Sequence, residues 1–174
     1  MAVGETSSFV FAEEKNDIRV NEAVEEEETL SENFGKKISE ETYYDDELEC
    51  SVTEELYYMP SFKLYNTKSG TSGSGTYTKK KTKEWASGSK STYYAQGYFT
   101  WGNGEVRVSS YAGNINNVPS GITISNRRIR VDKENYLIVK KSAYVKFSCT
   151  TTDVIGSQLN LSVMVRVCAD GTVV

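Results

Sequence analysis

The chain has 174 residues, with 24 acidic side chains, 20 basic side chains and no histidine, and its formal net charge is −4. The absence of histidine excludes Ser-His-Asp triads, Cys-His nucleophile pairs and His-ligated zinc. No apolar run has the length of a transmembrane helix. Since no catalytic, metal-binding or nucleotide-binding motif stands out, we expect a non-enzymatic protein without a metal or a cofactor.

Residues 1–12 resemble the end of a secretory signal peptide. Residues 7–12 are small or apolar, and charged residues follow from Glu13. The small Ala12 before a charged segment fits a cleavage site, so this segment predicts a secreted or cell-surface protein. The alternative interpretation is an ordinary flexible N-terminus.

Residues 13–60 predict an acidic, mostly disordered leader. By count, residues 1–49 contain 16 acidic and 4 basic side chains, and high net charge with low hydrophobicity disfavours a packed core. We interpret the leader either as a solvated linker or as a pro-segment that masks the basic remainder of the chain. The Gly-, Ser- and Thr-rich residues 61–76 predict a flexible linker or a long surface loop.

Residues 77–174 predict the folded domain, because short runs there alternate apolar and polar side chains. The two clearest runs, 143–149 and 159–167, each place their apolar residues on one face, so the two faces would share a core. Residues 132–135 predict a turn. Seven or eight short strands with few helical signals predict an all-β fold, an antiparallel β-sandwich that is immunoglobulin-like in architecture.

The strongest hairpin signal is the Asn-Gly pair at residues 103–104. A type I′ turn needs positive φ at both central residues, which this pair adopts readily. With that turn, we expect Phe99 opposite Val108 on the inner face and Tyr98 opposite Ser109 on the outer face.

The candidate binding surface is a stripe of outward tyrosines with a cation beside it. The alternation places Tyr94 and Tyr98 on the outer face, with Arg107 and Tyr111 close to them. Aromatic rings on a flat sheet face can stack on sugar rings, and tyrosine is common at interfaces. The alternative is cross-strand packing that only stabilises the sheet.

A cluster of cations forms the candidate basic patch. Its members are Lys79, Lys80, Lys81 and Lys83, and further cations follow at Lys90, Arg127, Arg128 and Arg130. A basic face with aromatic neighbours can bind nucleic acid, anionic wall polymers or anionic lipid, and export would leave nucleic acid the least favoured of these. The alternative is that the lysines protect a sheet edge from aggregation.

The three cysteines, Cys50, Cys149 and Cys168, leave at least one free thiol in a monomer because their number is odd. The alternation places Cys149 on the inner face of its strand and Cys168 on the outer face, which disfavours a disulfide between them. We expect Cys149 to pack as a small core side chain.

Residues 98–104, 145–153 and 165–173 resemble segments of small exported all-β proteins of Gram-positive bacteria. Such proteins pair a signal peptide and an acidic leader with a Ser-, Thr- and Tyr-rich β domain. The resemblance covers roughly the last 100 residues and consists of general β-sandwich patterning. It implies export, but it assigns no activity and no functional residues.

We therefore predict an exported, non-enzymatic binding or structural β-sandwich that acts at or outside the cell envelope. Its partner would be a cell-envelope glycan, an anionic wall polymer or a protein. One alternative is a carbohydrate-binding module that uses the outward tyrosines. Another is a secreted toxin or pore-former that the acidic leader masks.

Overall fold

The computed structural model describes residues 34–61, 72–136 and 140–174. Within these ranges the chain forms strands, turns and loops, and no helix is long and apolar enough to cross a membrane. The eight strands are β1 (Lys36–Asp45), β2 (Cys50–Pro60), β3 (Gly73–Glu84), β4 (Lys90–Gly102), β5 (Glu105–Asn116), β6 (Thr123–Tyr136), β7 (Lys140–Thr152) and β8 (Gln158–Cys168). The predicted signal remnant, the first part of the predicted leader and residues 62–71 of the predicted linker lie outside the described residues.

The strands form two antiparallel sheets that pack face to face. The order is β1-β2-β3-β4-β5 in one sheet and β6-β7-β8 in the other. Strands β4 and β5 lie against β8 and β7, and both sheets contribute to one apolar core. The predicted antiparallel β-sandwich is therefore confirmed. Within each sheet the strands follow their order in sequence, rather than the Greek-key order of immunoglobulin domains.

The core lies between the inner faces of the two sheets. Its largest fully buried side chains include Tyr93 and Phe99 from the five-stranded sheet and Phe147 from the three-stranded sheet. The apolar residues of the predicted runs 143–149 and 159–167 all belong to this core or pack against it. The inward face predicted for these two runs is therefore confirmed.

The hairpin of β4 and β5 follows the prediction as far as a β-bulge. Both residues of the Asn-Gly turn have positive φ, +52° and +73°, and Phe99 lies opposite Val108. The register then shifts between Phe99 and Tyr98, so Tyr98 lies opposite Ser110 rather than Ser109. The predicted pairing of Tyr98 is wrong because the bulge adds one residue to β5, which alternation within β4 does not reveal.

Residues 36–60 form strands β1 and β2 instead of a disordered leader. Strand β2 pairs with β3 along its length, from Val52 opposite Lys83 to Pro60 opposite Gly75. Since β3 begins inside the predicted linker, the predicted start of the domain at residue 77 is too late. The disorder predicted from net charge is wrong because the charge of β2 is compensated by the neighbouring strand. Glu54 of β2 forms ion pairs with Lys79 and Lys81 of β3.

The predicted turn at residues 132–135 is also wrong, because these residues lie inside β6. Asp132 forms an ion pair with Arg130 at 3.0 Å, so charged side chains occupy outward positions of a strand here. The connection from β6 to β7 passes through residues 137–139, which are outside the described residues.

All three cysteines are free thiols. Cys149 is buried in the core, as expected. Cys168 lies opposite Ser142 on the outer face, as the alternation predicts, and it is buried there. Backbone bonds hold the C-terminal turn beside it, with the Ala169 amide donating to the Lys141 carbonyl at 2.9 Å.

Candidate functional site

The four lysines predicted to form one basic patch lie on two faces of the five-stranded sheet. Lys79, Lys81 and Lys83 share the inward face with Tyr77, which belongs to the core. Lys80 points to the outer face, because successive side chains of a strand alternate. The prediction of a single patch is therefore wrong.

Two of the inward lysines pair with residues of β1 and β2. Glu54 forms ion pairs with both Lys79 and Lys81, and Lys81 donates to the Tyr43 hydroxyl at 2.9 Å. Burial would raise the pKa of Glu54, but its hydrogen bonds and charge interactions with the two lysines outweigh burial and hold that pKa below its ordinary value. These lysines thus compensate an acidic strand and do not form a surface for an external polyanion.

The third inward lysine, Lys83, is 5% exposed. Its Nζ donates to the Leu48 carbonyl oxygen at 3.1 Å and lies 3.1 Å from Cys50 Sγ. It also lies 5.1 Å from the centre of the Trp85 ring. Lys83 therefore links the turn between β1 and β2 to strand β3. Its ammonium group is surrounded by other residues of the protein.

Lys80 belongs to an aromatic cluster on the outer face of the same sheet. Its ammonium lies 4.7 Å from the centre of the Phe34 ring and 5.4 Å from that of Tyr57. The Phe34 ring contacts both Tyr57 and Tyr94, with centroid distances of 5.8 and 5.4 Å. Gly35, with φ of +84°, turns the chain so that Phe34 can reach this position. Phe34 therefore covers Tyr94, one of the predicted binding residues.

The other residues of the predicted binding surface are divided between two faces. Tyr98 is half-buried on the outer face, and Arg107 is exposed on that face. Tyr111 lies opposite Gly97, whose added Cβ would contact Val145 of the second sheet. Tyr111 therefore points to the inner side at an edge strand, where it is 45% exposed. The bulge in the hairpin causes this change of face.

The outer face of the three-stranded sheet carries an open polar cleft of about 420 Å³. Its lining residues are Asn126, Arg128, Lys146, Ser148, Cys149, Thr150, Asn160, Leu161 and Ser162. Both charged residues of this lining are cations, and the lining contains no carboxylate. The cleft is therefore an electropositive, donor-rich surface.

A β-bulge in β6 shapes one wall of the cleft. The register between β6 and β7 shifts between Ser125 and Arg128, and Asn126 adopts a φ of +52°. The side-chain amide of Asn126 donates to Thr150 Oγ1 at 3.4 Å. The Thr150 hydroxyl in turn donates to Asn160 Oδ1 at 2.9 Å. Since the Asn160 oxygen accepts that bond, its amide nitrogen can donate to a ligand.

The two cations of the cleft lie near each other on the sheet. Arg128 is opposite Ser148, and Lys146 precedes Ser148 by two residues on the same face of β7. Ser148 in turn lies opposite Ser162 of β8. Among the described residues, neither Arg128 nor Lys146 has an ion-pair partner. The arrangement suits a ligand with negatively charged oxygens and hydroxyl groups.

Sequence reasoning missed this cleft, although it singled out Arg128 as a cation. It grouped Arg128 with the lysines of β3 because residues 127–131 had no assigned partner strand. The alternation of residues 143–149 already placed Lys146 and Ser148 outward. The missing information was the pairing of β6 with β7, which brings these side chains together.

Neither a metal centre nor a known relative points to a function. In the described part of the chain, no group of three or more cysteine, aspartate or glutamate residues is placed to hold a metal ion. No protein-family model matches the sequence, and neither a curated protein nor a solved structure matches it significantly. The geometry of the cleft is therefore the basis for assigning a function.

Proposed function

We propose that this protein is an exported, non-enzymatic binding module that holds an anionic, hydroxyl-rich polymer of the cell envelope in the cleft. The observation that carries the proposal is the pair of cations, Arg128 and Lys146, beside the hydroxyls of Ser148 and Ser162. A polymer of phosphate- or carboxylate-bearing polyols offers the charged oxygens and hydroxyls that such a donor set binds.

The shape of the cleft favours a chain-like ligand over a small molecule. It lies on an open sheet face, and Asn160 and Ser162 at its β8 side are exposed. Small-molecule sites usually enclose most of their ligand, whereas an open face lets a polymer enter and leave at both sides. The cations would fix the charged groups, and the amide and hydroxyls would contact the polyol between them.

Export is supported by the sequence of residues 1–12, where a small residue precedes a charged segment. A carbohydrate-binding module that uses the outward tyrosines is less favoured than polymer binding in the cleft. Phe34 covers Tyr94, and Tyr111 points to the other face of the sheet. Residues 36–60 are unlike a leader that masks the domain, because they form two strands of the sandwich itself.

Calorimetric titration of the full chain with poly(glycerol phosphate) tests the proposal, with neutral dextran of similar length for comparison. The double variant Arg128→Gln/Lys146→Gln removes two charge-assisted contacts, so we expect about 30-fold weaker binding, or about 2 kcal/mol, at low salt. Binding by the unchanged protein should weaken as salt is added.

The matched control is Lys36→Gln/Arg107→Gln, which removes the same charge from exposed positions of the other sheet. It should change the affinity less than about threefold, because it alters only the long-range field. Equal losses in the two double variants, or equal binding of dextran and poly(glycerol phosphate), would contradict the proposal.

A further inference from the structure

The turn between β7 and β8 presents two adjacent apolar side chains to solvent. Val154 and Ile155 are each 83% exposed, more than any other large apolar residue in the described chain. We propose that this tip inserts into the interfacial layer of an anionic lipid bilayer and docks the sandwich on a membrane surface. The proposal rests on the tip and its surroundings, and it is independent of polymer binding in the cleft.

Four backbone amides of the tip already form internal hydrogen bonds. The Asp153 carboxylate accepts from the amides of Ile155 and Ser157 at 3.0 and 2.8 Å. The Gly156 amide donates to the Asp153 carbonyl, and the Asp153 amide donates to the Ser157 carbonyl. An unpaired backbone amide is costly in an apolar environment, and these bonds remove that cost for four of the amides.

The tip is also held in one shape, so insertion does not require it to be ordered first. The Asp153 bonds close the turn, and Gly156 supplies its positive φ of +87°. Val154 lies against the loop between β5 and β6, since an added Cβ on Gly121 would be 3.0 Å from Val154 Cγ1. A preformed apolar tip loses less conformational entropy on binding than a flexible one.

The charge around the tip is complementary to an anionic membrane. Residues 117–132 and 146–163, at this end of the three-stranded sheet, contain four cations and two carboxylates. Asp132 forms an ion pair with Arg130, and Asp153 accepts hydrogen bonds from the turn amides, so Arg127, Arg128 and Lys146 are the cations that remain for a lipid surface. The acidic turn at residues 46–49 lies at the same end of the sandwich as the tip. It connects β1 and β2, however, at the edge of the five-stranded sheet that is remote from β6, so the surface proposed to meet the lipid is the tip together with the adjacent end of β6.

The spacing between the tip and the nearest cation fits the depth of a lipid headgroup layer. Thr152 directly precedes Asp153, the first residue of the tip, and lies opposite Thr123 of β6. Arg127 is exposed in the bulge of β6, about three strand positions from Thr123, which corresponds to about 10 Å of strand. If the apolar pair reaches about 5–10 Å into the headgroup and acyl boundary, Arg127 lies within one Debye length of the lipid phosphates.

Sedimentation of the full chain with lipid vesicles tests this inference. One set contains phosphatidylcholine alone, and the other contains equal amounts of phosphatidylcholine and phosphatidylglycerol. We expect binding to the anionic vesicles and at least about tenfold weaker binding of Val154→Ser/Ile155→Ser, because the insertion of apolar side chains is lost. The control Tyr44→Ser removes another exposed apolar side chain, 63% exposed on β1, and should bind as the unchanged protein does.

A second variant makes the test independent of a loss of fold. Ile155→Trp should bind anionic vesicles more tightly, since tryptophan favours the membrane interface, and its added emission should shift to shorter wavelength when vesicles are present. Titration with poly(glycerol phosphate) separates the two proposals, because the serine double variant should retain the polymer affinity of the unchanged protein. Serine and tryptophan variants that sediment like the unchanged protein, or equal sedimentation with both vesicle types, would overturn the inference.

Discussion

Glu54 and Lys81 form an ion pair on the inward face of the five-stranded sheet, with 3.1 Å between Oε2 and Nζ. The two side chains are 21% and 19% exposed, so water and salt screen the pair less than a surface pair. The pair joins β2, whose sequence is acidic, to β3, whose sequence is basic. It therefore explains why a segment with high net charge folds as part of the sandwich.

We expect Glu54→Gln to lower the free energy of unfolding by about 1–2 kcal/mol at neutral pH, because Lys79 and Lys81 lose their charged acceptor. The lowered pKa of Glu54 means that its stabilising contribution is present above the ordinary value of 4.5 and is lost as pH falls through the folded-state pKa. Urea unfolding at several pH values should show the two proteins converging below about pH 4.5.

The control for this measurement is Glu84→Gln. Glu84 pairs with Lys90 at 3.5 Å, but both side chains are at least half exposed. Such a pair contributes little, so the loss should be under about 0.5 kcal/mol. If the two variants lose the same stability, the Glu54 pair is an ordinary surface pair.

The sequence predicted the strands whose inward positions are apolar. Runs 143–149 and 159–167 alternate clearly, and both lie in the core. Strands β1 and β2 were missed because several of their inward positions hold charged or hydroxyl-bearing residues, such as Glu54 and Tyr43. These residues are compensated by lysines of β3 that are distant in sequence. Non-local compensation of this kind cannot be read from the composition of one segment.

Predicting the candidate site from the sequence would have required the same kind of non-local information. Alternation placed Lys146 outward, and Arg128 was recognised as a cation. Their proximity requires the pairing of β6 with β7 and the bulge that begins after Ser125. A bulge shifts every later side chain by one position, so its location decides which residues share a face. In the β4–β5 hairpin the same effect moved Tyr111 away from the predicted surface.

The C-terminal turn packs on Trp101, and Gly171 leaves no room for a side chain there. A Cβ at Gly171 would lie 2.5 Å from Trp101 Nε1, and the residue has a φ of +83°. Gly171→Ala should therefore cost about 2–4 kcal/mol, from the left-handed backbone and from the clash together. Gly88→Ala isolates the backbone contribution, because Gly88 has a φ of +77° and no atom near its Cβ position.

Thermal unfolding of the two glycine variants measures the difference directly. Gly88→Ala should cost about 1–2 kcal/mol, and the additional loss in Gly171→Ala reports the contact with Trp101. Equal losses in the two variants would show that the C-terminal turn moves away from Trp101 at little cost.

Phe34 is 9% exposed, although it lies before the first strand. Its ring packs on Tyr57 and Tyr94, and the Lys80 ammonium lies over it. We expect Phe34→Ala to cost about 2 kcal/mol, less than the loss for a ring enclosed in a core, because the gap opens to solvent. Ile38→Ala is the control, since Ile38 is 47% exposed on β1, and it should cost under about 1 kcal/mol.

Removal of the Phe34 ring should also uncover Tyr94, which allows a test of the carbohydrate-binding alternative. Nitration of Tyr94, measured by peptide mass spectrometry, should be faster in Phe34→Ala than in the unchanged protein or in Ile38→Ala. If Tyr94 and Tyr98 bind sugar rings, the same variant should gain affinity for a neutral glycan, because a planar ring would replace Phe34. Faster nitration without that gain would assign the tyrosines to sheet packing, whereas unchanged nitration would show that Phe34 does not cover Tyr94.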